Sequence, residues 1–221
     1  MKIRDHLNRA TTIMLPKYSL SSDKTIIRYT SLTVSNIYIK LNFSEENIWK
    51  LCECWKNNDP NHLNSLYAVF ISNAQRIIPI WEQKSASNSE HLAIWDYHVI
   101  LIDKSSSSTA IYDFDSTLSF PVSATDYVQQ AIRDETNIAH MYHRLFRVIS
   151  AQEYLDTFAS DRSHMLKEDK ITYMASPPSY PAISNEKSLN NINEFIDMKS
   201  KNVPGTVMNL ADFCRLLRVR T

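Results

Sequence analysis

The stretch Ala93-Ile94-Trp95-Asp96-Tyr97-His98-Val99-Ile100-Leu101-Ile102 is followed, after a polar serine-rich interval, by Thr109-Ala110-Ile111-Tyr112-Asp113-Phe114. Both runs are rich in β-branched and aromatic residues and are bounded by turn formers, which predicts two strands. Paired as an antiparallel hairpin across residues 103–108, they bring Asp113 or Asp115 near His98. One polar ring inside an otherwise apolar run reads in two ways. It is a core histidine with its hydrogen bonds satisfied, or a base whose tautomer a carboxylate fixes, as in a nucleophile–histidine–acid triad. Each aspartate likewise reads as a strand-end residue facing water or as the orienting acid.

Working outward, Ile48, Leu51, Cys52 and Trp55 fall at i, i+3, i+4, i+7, so a helix over residues 45–56 carries one apolar face. Ser44 just before it, with Glu45 and Glu46 in its first turn, is the right chemistry for a helix N-terminus and reads most simply as an N-cap. Asn57-Asn58-Asp59-Pro60 ends the helix. Further strands are expected over 67–71 and 77–81, and alternating apolar residues suggest one over 32–43. Helical stretches are expected within 126–134 and 142–158, at 193–198, and over 210–217 with Asn209 as cap. Residues 1–24 show no clear period and read as poorly ordered, and 176–191 as an irregular loop. The sum is one α/β (α+β) domain with a mainly antiparallel sheet flanked by helices.

Composition removes whole classes of function. The chain has 221 residues, a hydrophobic fraction of 43% and 24 basic against 24 acidic residues, so it can build a core and offers no net charge to a nucleic acid or an anionic membrane. No apolar run approaches the roughly 18 residues of a membrane span, and the start lacks a signal-peptide core. Gly205 is the single glycine where average usage would give roughly 15. That excludes glycine-rich phosphate loops, dinucleotide fingerprints and the GxSxG elbow. Cys52, Cys54 and Cys214 form no paired framework, which suits reduced thiols, and Cys-x-Cys lacks the spacing of a structural zinc site. Cys52 belongs to the helix's apolar face, so none of the three makes a good nucleophile. No cofactor or metal is expected.

Several longer motifs in order are similar to one family. They are Glu45-Glu46-Asn47-Ile48-Trp49-Lys50-Leu51-Cys52-Glu53, Tyr67-Ala68-Val69-Phe70-Ile71-Ser72-Asn73, Ile78-Pro79-Ile80-Trp81, Trp95-Asp96-Tyr97-His98-Val99 and Phe158-Ala159-Ser160-Asp161-Arg162-Ser163-His164-Met165. Together they resemble the protein N-terminal glutamine amidohydrolases, from Ser44 to the C-terminus. Residues 1–43 match nothing in it, which divides the chain into that segment and an amidohydrolase domain over 44–221. The resemblance implies a transglutaminase- or papain-like fold. It implies deamidation of N-terminal glutamine in proteins and peptides, a step of the N-degron pathway, by a monomer of cytoplasm and nucleus. It implies a Cys-His-Asp triad, with His98 as base, Asp113 as orienting acid and position 44 as nucleophile.

Here position 44 is serine, so the chain as written is expected to be inactive or very slow. Its serine reads as a substrate trap, a natural loss, or an error in the gene model. The last is favoured because codons for Phe43-Ser44-Glu45 can spell an intron end and residues 24–43 are rich in Ile, Tyr, Asn and Lys. The alternatives in function are a non-catalytic module binding N-terminal glutamine, and a transglutaminase-like enzyme using an amine in place of water.

Overall fold

A computed structural model describes residues 13–18, 27–32 and 43–219, with side chains from Phe43 onward. In the first part, β1 (Ile13–Tyr18) pairs antiparallel with β2 (Ile27–Leu32). The expectation of poor order over residues 1–24 falls mostly outside the described residues, which in that stretch are those of β1. The strand expected over 32–43 lies outside the described residues, apart from Leu32 at the end of β2 and Phe43.

Helix α1 (Ser44–Asn58) and the short α2 (Pro60–Leu63) lead into β3 (Leu66–Ser72), then β4 (Ile78–Ile80), β5 (Ala93–Trp95), β6 (His98–Asp103), β7 (Ala110–Tyr112) and β8 (Val122–Ser123). Next come α3 (Ala124–Tyr127), running into a π-turn over Val128–Ile132, then β9 (Leu145–Ser150) and α4 (Ala151–Thr157). The described chain closes with α5 (Ile192–Ile196), β10 (Thr206–Met208) and α6 (Leu210–Leu217). Six strands form one antiparallel sheet in the order β10-β9-β3-β6-β7-β8, while β4 and β5 pair separately.

Both faces of the sheet are covered, which explains why its central strands read as continuous apolar runs rather than clean alternation. Leu66, Ala68 and Phe70 of β3, with Val99 and Leu101 of β6, face a core built with Ile48, Leu51, Cys52 and Trp55 of α1 and with α4 and α5. The alternate residues Val69, Ile71, Ile100 and Ile102 face a second core with Tyr127, Phe146 and α6. There Phe213 stacks on Phe146 at 4.1 Å between ring centroids. Asn209 caps α6 as expected, accepting from the Asp212 amide at 2.9 Å.

Two further expectations change. The run over residues 93–102 is two strands rather than one, because the chain bends at Asp96-Tyr97 to pass from β4 to the main sheet. Residues 142–158 contain the expected helix only in α4; ahead of it lies β9, which sequence reasoning missed. Arg147 disguises β9. The residue is only 1% exposed, and its guanidinium donates to the carbonyls of Phe195, Asp197, Ser200 and Pro204. A buried arginine inside a strand breaks the apolar code that marks a core strand.

Candidate active site

The hairpin expected from the sequence forms, with Leu101 opposite Tyr112, Ile102 opposite Ile111 and Asp103 opposite Ala110. His98 begins β6 and Asp113 follows β7, and His98 Nε2 lies 2.9 Å from Asp113 Oδ1 with both side chains fully buried. Asp113 is held from four directions. Besides His98 it accepts from the Asp115 amide at 2.9 Å, the Tyr127 hydroxyl at 2.8 Å and Gln83 Nε2 at 3.2 Å. Burial by itself would raise the Asp113 carboxyl, but the His98 charge and these hydrogen bonds hold it below the usual carboxylate range. For His98 burial works downward, and the Asp113 charge and hydrogen bond, helped by Asp115 and Glu45, outweigh it and leave the imidazole above its ordinary value. The Trp95 ring stacks on His98 at 5.5 Å.

Ser44 is the first residue of α1 rather than its cap. Phe43 occupies the cap position, where no side-chain hydrogen bond forms. The N-cap expectation is thus corrected: the Ser44 hydroxyl turns away from its own helix and accepts the Val99 N–H of β6 at 3.2 Å. Val99 is the neighbour of His98, so the helix start and His98 are brought to one place. The free ring nitrogen of His98, Nδ1, is buried and makes no hydrogen bond among the described residues. Ser44 opens onto a cavity of about 260 Å³ whose wall includes Trp95, Asp96, Tyr97, His164, Met165 and Met174. That is below the roughly 300–1,000 Å³ of sites for drug-sized ligands and suits one amino-acid residue.

Sequence reasoning took Glu45 and Glu46 as helix-dipole acids; the structure buries both. The Tyr97 hydroxyl donates to Glu45 Oε2 at 3.0 Å, and His164 Nε2 stands 3.1 Å from the same hydroxyl and 3.5 Å from Glu45 Oε1. Glu46 takes a two-pronged bond from Arg162 at 2.7 and 2.8 Å, and Arg162 also donates to the carbonyls of Pro178, Tyr180 and Pro181. This clamps the irregular loop beside the cavity. Tyr127 and Gln83 had no signal in the sequence as supports of Asp113. Arg162 and His164 did, since both lie in the last of the family-like motifs.

His98, Asp113 and Asp115 place ligand-type atoms within 4.8 Å of one another, close enough to grip a metal ion. The donors around Asp113 and the His98–Asp113 bond already occupy the Asp113 oxygens and His98 Nε2, which suits a hydrogen-bonded acid–base pair. The three cysteines stay out of the site. Burial raises all three thiols, most strongly Cys52 in the α1 core.

A buried His–Asp pair beside a helix whose first residue, Ser44, lines a one-residue cavity, in an antiparallel α+β fold, defines an acyl-transfer hydrolase type of site. The family model for N-terminal glutamine amidase matches residues 39–217, starting slightly ahead of Ser44. The protein N-terminal glutamine amidohydrolases of Bos taurus and Homo sapiens are each 46% identical over 172 residues, covering 77% of this chain and 82% and 83% of theirs. That of Drosophila melanogaster is 40% identical over the same length. The chain belongs to the N-terminal glutamine amidase family.

Proposed function

We propose that this chain has the scaffold of a deamidase that converts N-terminal glutamine of proteins and peptides to glutamate, with serine in the nucleophile position. The observation that carries the reading is the Asp113-oriented His98 next to position 44 at the start of α1. In the reaction the residue at 44 attacks the side-chain carboxamide carbon while His98 accepts its proton. The oxyanion is met by backbone N–H groups at the start of α1, ahead of Asn47, whose own N–H is bonded to the Phe43 carbonyl. His98 returns the proton to the departing nitrogen, and ammonia leaves. Water, deprotonated by the same imidazole, then cleaves the acyl-enzyme to glutamate and the free side chain. Asp113 keeps the proton of the neutral ring on Nε2, leaving Nδ1 to exchange protons.

Serine suits this site poorly. A hydroxyl is barely ionised near neutral pH, whereas a cysteine is a few per cent thiolate and far more nucleophilic. The Ser44 hydroxyl is also bonded to Val99 rather than to His98. The chain as it stands is therefore inactive or very slow. The test is ammonia release from a short peptide beginning with glutamine. Ser44→Cys should exceed the unaltered chain by at least about a thousandfold, the scale of nucleophile losses in hydrolases. A silent cysteine variant would refute the reading.

That same Ser44–Val99 hydrogen bond favours the second reading, a non-catalytic module that binds N-terminal glutamine. Peptide binding that survives His98→Ala, with no turnover in Ser44→Cys, would select it. We place the protein in cytoplasm and nucleus, as a monomer upstream of N-degron recognition. The unpaired state of its three cysteines supports a reducing compartment. Among the described residues no helix is long and apolar enough to cross a membrane.

A further inference from the structure

Trp95, Asp96 and Tyr97 are consecutive, yet all three line the cavity beside Ser44. Successive side chains of a strand point to opposite faces, so a continuous strand cannot do this. The bend between β5 and β6 does, and it sets an acidic side chain at the cavity. Of the acidic residues about the site, Glu45, Glu46, Asp113 and Asp115 are at most 3% exposed, whereas Asp96 is exposed in the cavity wall. Its placement is fixed. Oδ1 accepts the Tyr97 N–H at 3.0 Å, and its carbonyl accepts the hydroxyl of the fully buried Ser72 at 2.7 Å. Oδ2 makes no hydrogen bond among the described residues. Trp95, Met165, Met174 and Ala175 add apolar wall, and His164 is engaged with Tyr97 and Glu45.

An N-terminal residue carries its α-ammonium only a few bonds from its side-chain amide. A cavity of one-residue size that admits the amide must therefore take in the ammonium as well, and an unpaired buried charge is costly. We propose that Asp96 is the specificity-determining residue that receives the substrate's free α-ammonium on Oδ2, with buried Glu45 adding negative charge behind Tyr97. This rests on the deamidase reading. It explains how the site distinguishes an N-terminal glutamine from one inside a chain, whose amide nitrogen is uncharged.

The test uses two peptides of one sequence. One begins with glutamine, and in the other a glutaramoyl group replaces that residue, keeping the carboxamide and lacking the α-amine. Calorimetric titration into the protein, where Ser44 slows turnover, should show the amine-bearing peptide binding roughly ten- to a hundredfold more tightly, the scale of a hydrogen bond to a charged group. In Asp96→Asn, which keeps an oxygen for the Tyr97 N–H, that ratio should fall to near one, and Asp96→Glu should recover part of it. A ratio unchanged in Asp96→Asn, or no preference in the protein while Ser44→Cys releases ammonia, overturns the assignment and leaves the deamidase reading standing. Absence of ammonia release by Ser44→Cys, with neither peptide bound, refutes both.

Discussion

Replacing Asp113 by asparagine changes one charge at a buried position that accepts four hydrogen bonds, and its cost can be worked from the contacts. Asp113 accepts four hydrogen bonds, from His98, the Asp115 amide, Tyr127 and Gln83. Asparagine can keep the His98 and Asp115 bonds on its oxygen, but its NH2 then faces two donors. The Tyr127 hydroxyl can rotate to offer a lone pair, so the lasting losses are the charge in the His98 bond and the Gln83 contact. A hydrogen bond to a charged group contributes about 1.5–3 kcal/mol and a neutral one about 1 kcal/mol, so Asp113→Asn should destabilise by about 2–4 kcal/mol. In a domain of this size that lowers Tm by about 4–16 °C.

The charge part depends on pH with a definite sign. The folded-state pKa of His98 is raised, so its share is fully present below the unfolded value of about 6.5 and is lost as pH rises through the folded value. The folded-state pKa of Asp113 is lowered, so its share is present above about 3.9 and is lost as pH falls through the folded value. The stability gap between the protein and the variant should therefore be widest between about pH 4 and 6.5 and shrink above it. Urea unfolding from pH 5 to 9, with the His98 titration followed by NMR, measures both parts. A gap below about 1 kcal/mol at pH 6, or one that widens above pH 7, would refute this account of the pair.

Arg162→Met leaves the Glu46 carboxylate buried without its partner and frees three loop carbonyls. It should cost about 3–5 kcal/mol in urea unfolding and raise hydrogen exchange over residues 178–181. Gly205 sits at φ +104°, and a Cβ there would lie 2.6 Å from Ile149 Cγ1 and 2.8 Å from the Val148 carbonyl. Gly205→Ala should therefore lower stability by about 2–4 kcal/mol, read as a shift in the urea midpoint, since the backbone oxygen cannot yield.

The sequence by itself determined those features whose physics is local. The i, i+3, i+4, i+7 spacing of Ile48, Leu51, Cys52 and Trp55 made α1 legible, and the two apolar runs around residues 103–108 made the β6–β7 hairpin legible along with the approach of Asp113 or Asp115 to His98, between which the family resemblance chose Asp113. The short motifs identified the family because they gather the site's residues in fixed order. Only the tertiary structure decided the rest, because the forces responsible act between residues far apart in the chain. Arg147 hides β9 until the carbonyls of residues 195–204 surround it. The Ser44 hydroxyl passes from cap to active-site wall through the Val99 amide of another element. Glu45 and Glu46 read as first-turn acids of a helix start, and only the arrival of Tyr97, His164 and Arg162 compensates their burial. A charge can be buried only where a partner compensates its lost hydration, and such partners, drawn here from 52 to 119 residues away, leave no trace in local periodicity.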